Sequence, residues 1–189
     1  MTLQTALTML VAIFPASELS LSVFRRASTR TARVEDRGSL RLLWLVIAVS
    51  LCIAIALQWI PGFRLPLSST HRRLLSLFLL SAGLVLRWAA ILTLGHLFTV
   101  DVAIHSNHSL VQTGLYGLIR HPSYTGLLIS FLGVGVFFGS WPSLLALVVP
   151  ITFAVFNRIA TEEQALLKAL GAPYAAYCAR TKRLLPGVV

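Results

Sequence analysis

The chain has 189 residues, of which 57% are hydrophobic and only 12% are charged. Soluble domains carry roughly 25% charged residues, so this composition, with a mean hydropathy of +0.82, argues against a soluble domain and for an integral membrane protein. The net charge of +10 lies mainly in the connections between apolar runs, which favours membrane lipids over nucleic acid as its partner. With only two cysteines, Cys52 and Cys178, neither a disulfide framework nor a metal site is predicted.

Apolar runs long enough to approach or cross a bilayer, which needs about 20 residues per helix, recur along the whole chain. The predicted spans are Thr5–Phe24, Leu42–Ile60, Leu74–Leu94, Tyr124–Phe138 and Leu144–Ile159. The last run continues without a breaker after Pro150 into a charged segment, so we expect one long helix that ends at Gly171. The sequence therefore predicts one all-α integral membrane domain over residues 1–189, a helical bundle of about five spans without a Rossmann domain.

The basic residues predict the orientation of these spans. If all five runs span, one side of the membrane carries only three basic residues, Arg64, Arg72 and Arg73. The other side carries most of the rest: Arg25, Arg26, Arg30, Arg33, Arg37, Arg41, Arg120, Arg158, Lys168, Arg180, Lys182 and Arg183. By the positive-inside rule, the segment before the fourth span and the C-terminal tail face the cytoplasm.

Two charged residues, Glu18 and Arg87, fall inside predicted spans. An isolated charge inside a membrane span is costly, so we expect the two residues to pair. The alternative is that each side chain snorkels to the membrane interface. Gly133, Gly135 and Gly139 follow no strand, and we interpret them as a small-residue face for helix packing rather than a dinucleotide loop.

Residues Gly114 to Gly126, GLYGLIRHPSYTG, form a polar segment at the mouth of the fourth span. Pro122 suits the first turn of a helix, whose unpaired N–H groups can receive an anion. Arg158 and Glu162, four residues apart on one helix face, are a cation and a carboxylate at the exit of the last span. Taken alone, each group has an ordinary alternative: interfacial anchoring for the first, and an exposed helix ion pair for the second.

Together these motifs resemble the signature of the isoprenylcysteine carboxyl methyltransferase family. The resemblance rests on HSLV at 108–111, GLY at 114–116, RHPSYTG at 120–126 and NRIATEEQALLKALGAPYAAYCARTKRLLP at 157–186. It covers about the C-terminal half, Phe98 to Pro186. The resemblance implies N-terminal helices over residues 1–97 and a catalytic half with the cofactor site over residues 98–189.

The resemblance also implies a role for particular residues. The cofactor is S-adenosyl-L-methionine, and its site would be lined by His108, Ser109, Leu110, Val111, Tyr116, His121, Pro122, Ser123, Tyr124 and Glu162. Arg158 would bind the substrate carboxylate, which makes Arg158 and Glu162 the expected catalytic pair. Glu163, in contrast, is expected to face solvent, and Tyr174 and Tyr177 lie in a tail that we expect to fold over the site.

The expected function is S-adenosylmethionine-dependent methyl transfer to the carboxylate of an isoprenylated cysteine, or a related lipophilic acceptor, at the cytoplasmic face of the membrane. Two alternatives remain open. One is methylation of a phospholipid amine or a small thiol, in which Arg158 tolerates replacement better than Glu162. The other is a non-enzymatic lipid-binding or transport protein, which does not bind the cofactor.

Overall fold

The computed structural model describes residues 3–24, 32–36, 38–95, 102–105 and 110–187. Helices dominate these residues, as predicted. They are α1 (Leu3–Phe24), α2 (Gly38–Leu57), α3 (Ser69–Leu94), α4 (Pro122–Phe138), α5 (Trp141–Leu170) and α6 (Ala172–Arg180), with a 3₁₀ turn at Gly114–Gly117 and two short strands, β1 (Ala32–Asp36) and β2 (Val102–His105).

The first five helices coincide with the five predicted runs. Among the described residues, α2, α3 and α5 are long and apolar enough to cross a membrane, while Leu7–Leu21 of α1 and Pro122–Phe138 form shorter apolar stretches. The last predicted helix also ends where expected, because Gly171 takes a left-handed φ of 59° after Leu170. The membrane helical bundle predicted from hydropathy is confirmed.

The helices pack side by side in an order that differs from their order in the chain. α1 packs on α3, α3 on α4, α4 on α5, and α5 on α2. Buried Leu80, Leu127, Leu147 and Val155 belong to the core that joins these layers. Large apolar side chains also point outwards, such as Val85, which is 70% exposed, and Phe153, which is 73% exposed. This outer apolar surface suits contact with lipid chains.

The two strands were not predicted. They pair antiparallel, with Ala32 opposite His105 and Asp36 opposite Val102. Because β1 follows α1 and β2 follows α3, the pairing holds the ends of these two helices at the same end of the bundle. That is the end expected if α1, α2 and α3 cross the membrane in alternating directions.

Small residues bring α3 and α4 into close contact, as such residues do in membrane bundles. A Cβ atom on Gly126 would lie 2.6 Å from both the Arg87 backbone nitrogen and the Gly83 carbonyl oxygen. Gly133 of α4 also abuts α3, where its carbonyl accepts a 2.8 Å hydrogen bond from Ser76 Oγ. The small-residue face therefore consists of Gly83, Gly126 and Gly133.

The predicted role in helix packing holds for Gly135 as well, although on another side of α4, and is wrong for Gly139. Gly135 points instead towards Leu144 of α5. Gly139 lies beyond the helix, where its left-handed φ of 69° ends α4. The spacing of the glycines did not show that α4 is packed on two sides.

Replacing Gly126 by alanine is expected to destabilise the bundle by about 1–3 kcal/mol, the usual range for overpacking. The intrinsic helix preference of alanine over glycine, about 1 kcal/mol, is outweighed because the new methyl group would meet backbone atoms of α3. Gly135→Ala is the matched control in the same helix, since there the methyl group meets the movable end of the Leu144 side chain. The melting temperature of each variant is measured by thermal unfolding in detergent, and equal melting temperatures would contradict the packing argument.

Candidate active site

The polar segment before α4 is folded into the protein rather than spread along its surface. It passes through the 3₁₀ turn Gly114–Gly117 and enters α4 at Pro122, whose missing N–H costs nothing in the first helical turn. His121 and Ser123 are buried, at 5% and 7% exposure, and Tyr124 is half-buried. Side chains that can both donate and accept hydrogen bonds are thus concentrated at the start of α4.

The charged end of α5 meets this helix start. The Tyr124 hydroxyl donates a 3.0 Å hydrogen bond to Glu162 Oε2. One turn earlier, Arg158 is only 2% exposed and donates from Nη1 to Ser39 Oγ of α2 at 2.6 Å. Helices α4 and α5 therefore place a phenol, a carboxylate and a guanidinium at one end of the bundle, and α2 supplies the Ser39 hydroxyl that binds the guanidinium.

Glu163 connects this region to the tail. Its Oε1 accepts a 2.8 Å hydrogen bond from Arg120 Nε and lies 3.3 Å from His121 Nε2, and its Oε2 lies 2.7 Å from Arg183 Nη2. The expectation that Glu163 faces solvent was wrong. Its charge is matched by basic side chains from the polar segment and from the tail, a convergence that the helix pattern alone does not reveal.

The tail runs beside the start of α4, as expected for a segment that folds back. The Arg120 and His121 amides donate to the carbonyls of Lys182 and Arg183 at 2.8 and 2.9 Å. Thr125 Oγ1 donates to the Leu184 carbonyl at 2.9 Å. Arg120 also donates to the carbonyls of Cys178 and Thr181. These bonds fix the position of the tail relative to the start of α4.

Helix α6 adds two buried tyrosines, which sequence analysis placed in the tail without predicting a helix. The Tyr177 hydroxyl donates to the Tyr116 carbonyl at 2.6 Å, and the Tyr116 hydroxyl donates to the Ala90 carbonyl of α3 at 3.3 Å. Burial raises the pKa of Tyr177 to about 12 and that of Tyr116 well above its usual value. Both phenols therefore remain neutral hydrogen-bond donors at neutral pH.

The predicted pairing of the two intramembrane charges is confirmed. Arg87 Nε donates to Glu18 Oε1, and Arg87 Nη2 donates to Glu18 Oε2 at 2.6 Å. Sequence analysis missed a third participant, since Arg87 Nη1 donates to both the carbonyl and the hydroxyl of Ser123 at 3.1 and 3.0 Å. The ion pair thus reaches the start of α4.

The residues expected to form the site fall into three groups. Near the start of α4 and the end of α5 lie Tyr116, His121, Pro122, Ser123, Tyr124, Arg158 and Glu162. Leu110 and Val111 precede the 3₁₀ turn and are half-buried. His108 and Ser109 lie outside the described residues. Within the part of the chain that the structure describes, no group of three or more His, Cys, Asp and Glu side chains is arranged to hold a metal.

The sequence of this region is similar to that of a known protein family. The profile of the isoprenylcysteine carboxyl methyltransferase (ICMT) family matches residues 74–168, slightly more than half of the chain. The chain belongs to the isoprenylcysteine carboxyl methyltransferase family. The matched range contains most of α3, all of α4 and most of α5, and thus Arg87, the RHPSY segment, Arg158, Glu162 and Glu163.

Similar proteins match slightly more than half of the chain. Protein-S-isoprenylcysteine O-methyltransferase B of Arabidopsis thaliana is 35% identical over 108 residues, which are 56% of this chain and 55% of that protein. The protein-S-isoprenylcysteine O-methyltransferase of Schizosaccharomyces pombe is 36% identical over 100 residues, 52% of this chain and 42% of its own length. The chain thus spans about half the length of the curated relatives it matches.

A solved structure supports the fold. The structure described as the eukaryotic intramembrane Ras methyltransferase ICMT superposes with a TM-score of 0.59 at 24% sequence identity, covering 81% of this chain and 54% of that one. At this identity the match concerns the fold, and it extends beyond the range that the family profile covers.

Removing the Glu163 carboxylate is expected to loosen the tail. In Glu163→Ala, the charges of Arg120 and Arg183 lose their partner, and hydrogen bonds to charged groups contribute about 1.5–3 kcal/mol each when buried. Because Arg183 is exposed, we expect a loss of stability at the lower end of this range. A loss of that size corresponds to a roughly tenfold faster tryptic cleavage after Lys182 and Arg183. Mass spectrometry of a limited digest measures the rate. Gln164→Ala, an exposed neighbour, is the control, and identical rates in both variants would show that Glu163 does not hold the tail.

Proposed function

We propose that this protein transfers the methyl group of S-adenosyl-L-methionine to the carboxylate of an isoprenylated cysteine, or of a related lipophilic acceptor, at the cytoplasmic face of the membrane. The observation that carries the proposal is that the buried Arg158 and the half-buried Glu162 both contact Tyr124 of the RHPSY helix start, in a chain of the isoprenylcysteine carboxyl methyltransferase family.

The donors and acceptors near the start of α4 fit the cofactor. S-adenosyl-L-methionine carries an ammonium, a carboxylate and ribose hydroxyls, and when bound it supplies an activated methyl group. Glu162 is suited to accept hydrogen bonds from the ammonium or the ribose, and its orientation is fixed by Tyr124. The His121 ring is suited to donate to the cofactor carboxylate. The remaining proposed contacts are His108, Ser109, Leu110, Val111, Tyr116, Pro122 and Ser123.

Arg158 has the chemistry to orient the methyl acceptor. A carboxylate has a pKa near 4 and is ionised at neutral pH, so the proposed transfer needs no general base. What it needs is alignment of one carboxylate oxygen with the methyl group, and exclusion of water. A guanidinium can bind a carboxylate through two parallel hydrogen bonds. Burial of Arg158 and its bond to Ser39 restrict that guanidinium to few positions.

The membrane setting explains why the acceptor would be lipophilic. The site residues lie at one end of helices whose outer faces are apolar, so an isoprenoid chain can remain among lipid-facing side chains while its carboxylate reaches Arg158. The distribution of basic residues in the sequence supports a cytoplasmic position for that end. A soluble acceptor would gain nothing from this apolar surface.

A methyl-transfer assay with labelled S-adenosyl-L-methionine tests the proposal. Purified protein is given a farnesylated cysteine analogue, phosphatidylethanolamine or a small thiol as acceptor. We expect turnover with the farnesylated analogue, and a fall of kcat/KM by about 100-fold in Arg158→Ala, comparable to the loss of one oriented transition-state donor. Asn157→Ala, the exposed preceding residue, should retain wild-type activity.

The other outcomes discriminate the alternatives. Turnover with the lipid amine or the thiol, unaffected by Arg158→Ala but abolished by Glu162→Gln, would replace the carboxylate acceptor by one of these substrates. Absence of cofactor binding by folded wild-type protein would overturn the enzymatic proposal altogether.

A further inference from the structure

We infer that Glu18 and Arg87 form a positioning pair, through which helix α1 sets the geometry of the helix start that carries the proposed cofactor site. The inference rests on the proposed function for its consequence in catalysis, and on the contacts of Arg87 for its physical basis. Neither residue is expected to touch the cofactor or the acceptor.

Arg87 uses all three of its nitrogens to join two helices. Nε and Nη2 donate to the two oxygens of Glu18, a bidentate arrangement that fixes the plane of the guanidinium. Nη1 is thereby directed at Ser123, where it donates to the carbonyl at 3.1 Å and to the hydroxyl at 3.0 Å. Glu18 and Arg87 are each only 7% exposed. The orientation of the bond to Ser123 therefore depends on Glu18.

Ser123 lies in the first turn of α4, between the two side chains that reach α5. His121 precedes it and lies 3.3 Å from Glu163, and Tyr124 follows it and bonds Glu162 at 3.0 Å. A displacement of Ser123 would move both. The carbonyl and hydroxyl of Ser123 both accept from Arg87, so Ser123 links the ion pair directly to the lining of the proposed cofactor site.

The contact between α3 and α4 leaves little room for adjustment at this level. The Arg87 backbone nitrogen would lie 2.6 Å from a Cβ atom on Gly126, one turn after Ser123. Backbone packing and the side-chain bonds of Arg87 thus act on the same two turns of α4. The guanidinium can select the position of Ser123 because the two helices are already in contact.

Helix α1 presents Glu18 to Arg87 through a specific buried face. Leu7, Phe14 and Leu21, spaced by seven residues, are buried together with Glu18. The Phe14 ring packs edge-on against Phe131 of α4 with centroids 5.1 Å apart. The helix is thereby held against both α3 and α4. Since α1 lies outside residues 74–168, the range matched by the family profile, this contribution belongs to a part of the chain that the profile does not reach.

The first test does not require the cofactor. In Glu18→Gln, the guanidinium loses its charged partner while every residue near the proposed site is kept. We expect hydrogen exchange of the Tyr124 and Thr125 amides, which both donate to the His121 carbonyl, to become about tenfold faster. Amides in the middle of α5 should keep their wild-type rates. Ser20→Ala, an exposed change on the same helix, is the control. Unchanged exchange at Tyr124 and Thr125 in Glu18→Gln would overturn the inference.

The second test separates positioning from general stability. The double variant Glu18→Arg with Arg87→Glu re-forms an ion pair between α1 and α3, but places a carboxylate beside the Ser123 carbonyl. We expect its melting temperature to exceed those of the single variants, whereas its dissociation constant for S-adenosyl-L-methionine stays about tenfold above the wild-type value. Recovery of both quantities would show that the pair only stabilises the fold. If the double variant does not fold, the exchange result for Glu18→Gln decides.

The two proposals can fail separately. Wild-type protein that binds no S-adenosyl-L-methionine, together with faster Tyr124 exchange in Glu18→Gln, would refute the proposed function and retain the positioning pair. If wild-type protein and Glu18→Gln bind the cofactor with the same dissociation constant and show the same amide exchange rates, the proposed function is retained and the positioning pair is refuted.

Discussion

Charge in a low-dielectric setting has to be matched by countercharge, and this requirement determines how the polar end of the bundle is built. Glu18 is paired with Arg87 within the helix bundle, and Glu163 is paired with Arg120 and Arg183 at the polar end of the bundle. Each pair joins segments that are far apart in sequence. The helices are therefore fixed relative to one another by a few polar contacts, within a core that is otherwise apolar.

These contacts link supporting and candidate catalytic residues in a regular way. Two arginines that approach the site, Arg87 and Arg158, are each oriented by a residue from an N-terminal helix, Glu18 of α1 and Ser39 of α2. α1 and α2 flank the row formed by α3, α4 and α5. The segment that the family profile matches thus holds the candidate catalytic residues, while the flanking helices hold residues that orient them.

Much of this architecture is predictable from the sequence, because a membrane restricts the possible structures. Backbone groups in a bilayer must bond within their own helix, so apolar runs translate directly into helices, and Gly171 ends α5 where a glycine was expected to end it. The Glu18–Arg87 pair was predictable for a similar reason, since few partners exist inside a span. The convergence of the α4 start with the α5 end was also implied by the family resemblance.

What could not be predicted depends on contacts between segments that have no shared periodicity. Both strands are too short, and β1 is too polar, to be recognised in the sequence. Their pairing also requires two connections that are distant in sequence to meet. Glu163 differs from Glu162 by one position, so that only the placement of the tail reveals its three basic neighbours. The helix order could not be read from hydropathy, because apolar faces are interchangeable in lipid. The third contact of Arg87, with Ser123, follows from that order.

The arrangement of charge also bears on product release in the proposed reaction. Methylation converts an anionic carboxylate into a neutral ester, so the acceptor loses its electrostatic attraction to Arg158 when it is methylated. A guanidinium that is buried and bonded to Ser39 cannot turn to water to compensate. In the proposed reaction the ester would therefore bind less well than the acid, and its apolar chain would favour return to the lipid. Under the proposed function, the burial of Arg158 would both strengthen binding of the acceptor and promote release of the product.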